Sequence, residues 1–439
     1  MTLAIVRARI ADLWGRYHES GYVVVERGRV AAVGAGSAPE VPGAQVLDAD
    51  GRLVTPGLVN AHTHLYSSLA RGVPLAQFSP KGFQEILEQL WWKLDRALDL
   101  DTIYHSALVG AVGHLRSGVT TLFDHHASPT AIAGSLSQIK RAVAAVGLRA
   151  DLCYEVTDRG GEAEREEGIA ENVRFAREET GNGFLAAHMG LHASFTLSDT
   201  TLAQAGGAAF ELKLPFHVHL AEGKEDPLDA LQKHGMRTAE RLDRFGILSE
   251  RSLLIHGIQL SQAELALLAE RPASVIHNPR SNMNNAVGAA QVGAMLGRGI
   301  HVGIGTDGFG CDIVGELLTA RLLAHHVTGD PTTLGDPALL SLVRHNYALA
   351  EGAFGMPFGR LEPGHAADLV VWDYIPPTPL SGASLLSHLL FGGISEGIRP
   401  HAVIVGGVVR LRDGEVQGLS EREALGQARV AAQGLWARL

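Results

Sequence analysis

Two histidines one residue apart, His62 and His64, close the largely apolar run Leu53–Ala61, and later apolar runs end in His192, His219, His256 and Asp307. On a strand, residues two apart share a face, so both imidazoles of the His-x-His pair can reach one metal ion at the strand's end. A lone pair of this kind constrains little. A series of strand ends that each present a nitrogen or oxygen ligand constrains a great deal, because the strands must then run the same way and meet at one rim. That is the mouth of a parallel barrel.

The rest of the chain fits this geometry. Eight strand candidates, at 58–64, 119–125, 148–156, 184–193, 215–222, 252–257, 274–278 and 301–307, alternate with stretches of helical period. The expected fold is therefore an α/β protein, a (β/α)8 TIM barrel spanning residues 54–364, with its site at the C-terminal strand ends. Short apolar runs with glycine turns before residue 53, and again over 365–418, read as small antiparallel strands from both chain ends that fold together as one β-sandwich domain. Residues 419–439 read as a C-terminal helix. Two further helical stretches, 83–100 and 337–353, are long enough to flank the mouth.

Composition removes several functions. With 439 residues and 46% hydrophobic content, the chain can bury a large core. Its 37 basic against 47 acidic residues leave a net charge of −10, so nucleic acid is not an expected partner. No signal-like or membrane-spanning run is present, which makes a cytoplasmic protein without membrane association the expectation. Cys153 and Cys311 are far apart and suggest neither a disulfide framework nor a thiolate metal site.

The chemistry follows from the residue types. His62, His64, His219 and Asp307 supply three imidazoles and a carboxylate for one divalent metal, which acidifies water. Glu222, three residues past His219, stands where a carboxyl can move a proton between that water and a substrate. His256 is placed to hydrogen-bond the water or a developing alkoxide, and Asp307 to take a proton as well as touch the metal. Ser281, Asn282 and Asn285, after the seventh strand, offer neutral contacts to a ring's edge, or ordinary loop hydrogen bonds. His217 reads as a packed histidine one layer below His219, and His125 and His126 as structural or supporting groups. Core packing is the default for Trp91 and Trp92. Stacking on a flat ring is the alternative, and Trp92 counts among the candidate substrate contacts. Cys311 reads as a buried free thiol.

These motifs resemble the amidohydrolase superfamily, and within it the aminohydrolase/chlorohydrolase branch. The resemblance rests on Thr55–His64 with Arg71-Gly72, on Leu191–Ser198, on His217–Glu222, on Ile255-His256-Gly257 and on Gly305–Gly308. The segment His277–Gly288 looks most like the aminohydrolase subgroup called SsnA. The resemblance implies a single zinc, with iron as the alternative, Glu222 as proton shuttle and His192 facing the substrate. The strand Phe184–Ala193 has no lysine to bridge two metals, and the HxE and PCxxC signature of the cytidine-deaminase fold is missing. The implied reaction is hydrolytic deamination of an aminated nitrogen heterocycle such as a purine, pterin, pyrimidine or triazine, with release of ammonia. Hydrolysis of another C–N bond or of a C–Cl bond on the same frame is the alternative. The expected partner is a small heterocyclic substrate, and the expected assembly a homodimer or larger homo-oligomer. The neutral groups at the mouth favour a free base over a nucleotide.

Overall fold

A computed structural model describes residues 2–75, 78–395 and 397–439. Strands Thr2–Ala11, Tyr17–Glu26, Arg29–Ala35, Gln45–Asp48 and Leu53–Pro56 join Leu369–Trp372, Pro400–Val405, Val408–Arg412 and Glu415–Val416 in one nine-stranded sheet. The two chain ends meet where Leu53–Pro56 pairs antiparallel with Leu369–Trp372. The chain leaves this sheet at Gly57, a few residues past the expected boundary at 53.

Strand periodicity sorts the side chains of this sheet between two cores. Leu369, Val371, Ala402 and Ile404 pack with Leu3, Ile5, Val23 and Val25 in a core of their own. The alternate residues Val370, Trp372, Val403 and Val405 belong to the large core of the barrel. Arg149 of the barrel and Asp368, just before the sheet strand Leu369–Trp372, form a buried ion pair, Nε to Oδ2 at 2.8 Å. Asp368 also accepts from the Gly406 backbone, at 2.7 Å.

The barrel strands are Leu58–Thr63, Val119–His126, Arg149–Tyr154, Leu185–Ala187 continuing as Met189–Ala193, Phe216–Leu220, Leu253–His256, Ser274–His277 and His301–Ile304. Neighbouring strands are parallel. They form two arcs, and single bridges join them at both seams, Val156 to Leu191 and Thr63 to Asp307. At the second seam the backbone N–H groups of Thr306 and Asp307 donate to the His62 carbonyl, at 2.9 and 3.1 Å. Most strands are buried on both faces, as parallel strands covered by helices must be, which explains their unbroken apolar runs. The fourth strand is interrupted at His188, whose Nδ1 lies 2.6 Å from Asp151.

The stretch expected as one helix over 83–100 is two short helices, Phe83–Ile86 and Trp92–Ala97, joined by the π-helical turn Leu87–Trp91. Asp99 then opens a new helix, Leu100–Arg116, through a capping box with Thr102. The other flanking stretch is a helix at Asp336–Phe354, and the last helix is Glu421–Trp436. Trp436 Nε1 donates to the carbonyl of Leu69 beside the mouth, at 2.8 Å. Among the described residues, no helix is long and apolar enough to cross a membrane.

Candidate active site

Strand ends set the frame of the site. Ala221, His256 and Asp307, all at or just past C-terminal strand ends, have φ of 48°, 75° and 54°. A side chain in this left-handed region costs of order 1–3 kcal/mol, and such residues cluster where function holds them. The turn at each point redirects the chain over the mouth and keeps Glu222, His256 and Asp307 facing inward.

Three of the expected ligands, His62, His64 and Asp307, form one close group, and His219 adjoins it beside His64. His64 Nε2 lies 3.0 Å and His62 Nε2 3.5 Å from Asp307 Oδ1, and His219 Nε2 lies 3.3 Å from His64 Nε2. Ligand atoms of a tetrahedral site at ~2.0–2.2 Å from a metal stand about 3.3–3.6 Å apart, so these spacings suit one ion. The opposite ring nitrogens fix the tautomers. His64 Nδ1 donates to the carbonyl of His125 at 2.6 Å, and His219 Nδ1 to that of His192 at 2.9 Å. A carbonyl can only accept, which leaves Nε2 of both rings free to coordinate. His62 Nε2 is buried with no hydrogen-bond partner, as an unfilled ligand would be.

The electrostatics agree with a cation here. Burial holds the His62 imidazole down at about 3. Burial pulls His64 the same way, but the hydrogen bond and charge of Asp307 outweigh it and carry that ring up to about 9. Burial opposes ionisation of Asp307, yet its contacts with His62 and His64 hold its carboxyl well below the ordinary range. Positive charge beside Asp307 is favoured. The three nitrogens and one oxygen fit a divalent zinc- or iron-type ion.

Glu222 stands at the edge of this cluster. Its Oε2 is 3.3 Å from His256 Nε2, close but not aligned as a hydrogen bond, and its Oε1 accepts from Asn285 Nδ2 at 3.3 Å. Burial raises its carboxyl to about 7, against the opposing pull of His256. A carboxyl near neutrality can both take and return a proton. His256 Nδ1 meets Asn282 Oδ1 at 2.8 Å, and Ser281 Oγ donates to Asp307 Oδ2 at 2.5 Å. Ser281 and Asn282, expected to touch substrate, are thus engaged with Asp307 and His256. Asn282 is fully buried, and Ser281 and Asn285 also line the cavity. The short helix Pro279–Asn284 follows the seventh strand directly, which folds these side chains back to the rim.

The mouth opens into a cavity of about 540 Å³, within the range of small-molecule sites. His192 and Trp92 line it, their rings 6.5 Å apart, as do Trp91 and Cys311. His217 is buried below, its Nε2 2.8 Å from His62 Nδ1. His125 Nε2 donates to the Leu191 carbonyl at 3.0 Å, and His126 Nε2 meets Ser128 Oγ at 2.8 Å.

A second set of polar groups has no counterpart in the sequence expectations. Glu155 and Asp95 line the cavity, and Arg159 ties them together with Nη2 2.6 Å from Glu155 and Nη1 3.6 Å from Asp95. Its guanidinium lies 4.9 Å from the Trp92 ring centroid. Burial raises both carboxyls, Asp95 to about 7, against the pull of Arg159. The spacing Glu155-x-x-x-Arg159 across the end of the predicted strand 148–156 was the available signal. Nothing in it pointed to Asp95, which is 60 residues away in the chain.

Comparison with known proteins agrees with this architecture. The amidohydrolase family model matches residues 53–410. The chain is 33% identical to 5-methylthioadenosine/S-adenosylhomocysteine deaminase of Desulforudis audaxviator, over 95% of each chain. It is 31% identical to 5'-deoxyadenosine deaminase of Methanothermobacter thermautotrophicus, over 94% of each. The crystal structure of an adenosine deaminase from Xanthomonas campestris with bound zinc superposes with a TM-score of 0.85 at 25% identity, covering 99% of this chain and 98% of that one. The chain belongs to the amidohydrolase family, as a hydrolase of carbon–nitrogen bonds of the deaminase type.

Proposed function

We propose that the protein is a metal-dependent aminohydrolase that removes the exocyclic amino group of a purine of the adenosine type as ammonia. The observation that supports this most directly is Glu222, its Oε2 3.3 Å from His256 Nε2 at the edge of the four-ligand cluster, with its carboxyl raised to about 7 by burial. The names of the 33% and 31% identical relatives, both deaminases of adenosine-type compounds, favour the purine among the expected rings.

His62, His64, His219 and Asp307 would hold the ion, zinc by this reading. When bound, it supplies Lewis acidity and makes water nucleophilic near neutral pH. Glu222 takes the proton that water gives up and delivers it to the ring nitrogen beside the carbon under attack. General acid–base transfer of this kind contributes roughly 10²–10⁴ in rate. His256, its Nδ1 held by Asn282, keeps Nε2 aimed at the oxygen that adds to the ring. Asp307, steadied by Ser281, accepts a proton during attack and returns it to the leaving amine. His192 and Trp92 flank the ring on the far side. Two free cysteines fit the further reading of a cytoplasmic protein.

The test is ammonia release by zinc-loaded protein from adenosine, 5'-deoxyadenosine and 5-methylthioadenosine, alongside aminated pterins, pyrimidines and triazines. Release from the adenosine-type compounds is expected, with the 6-oxo purine as second product. Ammonia from pterins or triazines alone would overturn the purine assignment, and none from any compound would overturn the deaminase reading.

A further inference from the structure

The turn that carries Glu222 is held by groups outside the ligand cluster. The fifth strand ends at Leu220, and Ala221 follows with φ of 48°, a left-handed conformation that a residue with a side chain keeps only where its surroundings hold it. Both sides of this residue are gripped. The Ala221 carbonyl accepts from the backbone N–H groups of Ile258 and Gln259, past the sixth strand, at 3.2 and 2.8 Å. Its own N–H donates to Asp226 Oδ2 at 2.8 Å. Gly223, on the other side of Glu222, has little room for a side chain, since a Cβ there would stand 2.6 Å from Phe83 Cδ1.

Asp226 lies in the first turn of the helix Glu225–His234, yet both its oxygens accept from residues that precede that helix. Oδ1 takes the Phe195 N–H at 3.1 Å, so one carboxylate joins the turn at Glu222 to the turn Ser194–Thr196 past the fourth strand. Asp226 is buried, and a buried carboxylate is costly unless donors fill its lone pairs. Here backbone donors on two separate loops fill them. The two loops do not depend on it equally. Arg241 also donates to the carbonyls of Ser194 and Leu197, at 2.7 Å each. Loss of Asp226 leaves the Ser194–Thr196 turn anchored and frees the amide side of the turn before Glu222.

We propose that Asp226 is a positioning residue for the proton transfer: by holding the Ala221 N–H it keeps the Glu222 carboxyl beside His256 and aimed at the ring nitrogen that receives the proton. The role rests on the deaminase reading above. Asp226 works through Glu222 and not by contact with substrate or metal. Its loss should slow turnover and spare binding of the ring, because a misplacement of about 1 Å at a reacting group can cost about a hundredfold in rate.

Asp226→Asn tests this, since an amide oxygen replaces only one of the two acceptors and the amide nitrogen sets a donor against the other N–H. The substrate is whichever of adenosine, 5'-deoxyadenosine and 5-methylthioadenosine the zinc-loaded protein turns over fastest. In Asp226→Asn kcat should fall by about 10–100-fold, with KM changed by less than about threefold and zinc per chain unaltered. Binding gives the second readout, with inosine as the 6-oxo product and 6-hydroxy-1,6-dihydropurine riboside as the mimic of the transition state, its C6 tetrahedral and its N1 protonated. Asp226→Asn should weaken the dihydropurine by about the factor lost in kcat, and inosine by less than about threefold. In Glu222→Gln, where the aimed group is already gone, adding Asp226→Asn should weaken the dihydropurine by no more than about threefold. Asp226→Ser, which leaves room for water at the two N–H groups, gives the same readouts if Asp226→Asn does not fold. Failure of both to fold would make Asp226 structural and overturn the proposal. Unaltered kcat, equal weakening of inosine and dihydropurine, or full additivity with Glu222→Gln overturns it too, and leaves the deaminase reading standing. Ammonia from none of the three substrates with the unaltered protein overturns both.

Discussion

His62 Nδ1 and His217 Nε2 lie 2.8 Å apart, one layer below the rim. If His62 coordinates through Nε2, its Nδ1 carries the proton and donates to His217, which must then keep its own proton on Nδ1. His217, which reads in the sequence as a packed histidine, therefore sets the orientation and tautomer of a ligand. Loss of such a support typically costs about 10–100-fold in metal affinity or activity. His217→Phe should weaken zinc binding by that factor in competition with a chelator, while His217→Gln, which keeps an acceptor, should recover part of it. Equal zinc affinity in His217→Phe and the unaltered protein would show that the contact carries no such role.

Asn282 stands to His256 as His217 stands to His62. Asn282→Leu should lower kcat by roughly 10–100-fold with zinc content unchanged, because His256 loses the acceptor that aims its Nε2. A rise in KM with kcat intact would instead return Asn282 to substrate contact.

The Arg149–Asp368 pair joins the barrel to the nine-stranded sheet with both side chains almost fully buried. Removing one partner strands a buried charge, at a cost of about 3–5 kcal/mol. Arg149→Met should show that loss in denaturant unfolding. Arg149→Met with Asp368→Asn should regain part of it, since no carboxylate is then left unpaired. A single variant as stable as the unaltered protein would contradict the account of the junction.

The candidate metal ligands were legible because they fall at or just past the ends of apolar strands, His62 and His64 at the first, His219 at the fifth and Asp307 after the eighth, and strand ends in a parallel barrel have only one place to meet. His62, His64, His219 and Asp307 needed no knowledge of which strands were neighbours beyond chain order. Glu155, Asp95 and Arg159 were not legible in this way. Asp95 sits on a short helix whose π turn rotates it toward the mouth, and no periodicity in the sequence marks that rotation. Ser281 and Asn282 were recognised as polar residues near the site, but whether they meet ligand or protein depends on the path of a six-residue helix. The acidity of the pocket went unseen for the same reason, since its carboxylates come from separate loops and helices.

The most direct test of the central claim compares His64→Ala with Glu222→Gln, measuring zinc per chain and ammonia release from adenosine and 5'-deoxyadenosine. The unaltered protein should hold about one zinc per chain. His64→Ala should lose both metal and activity. Glu222→Gln should keep the zinc and lose at least about a hundredfold in kcat, because an amide preserves shape but relays no proton. Unaltered turnover in Glu222→Gln, or zinc loss there equal to that in His64→Ala, would contradict the division between the ligand cluster and the proton shuttle.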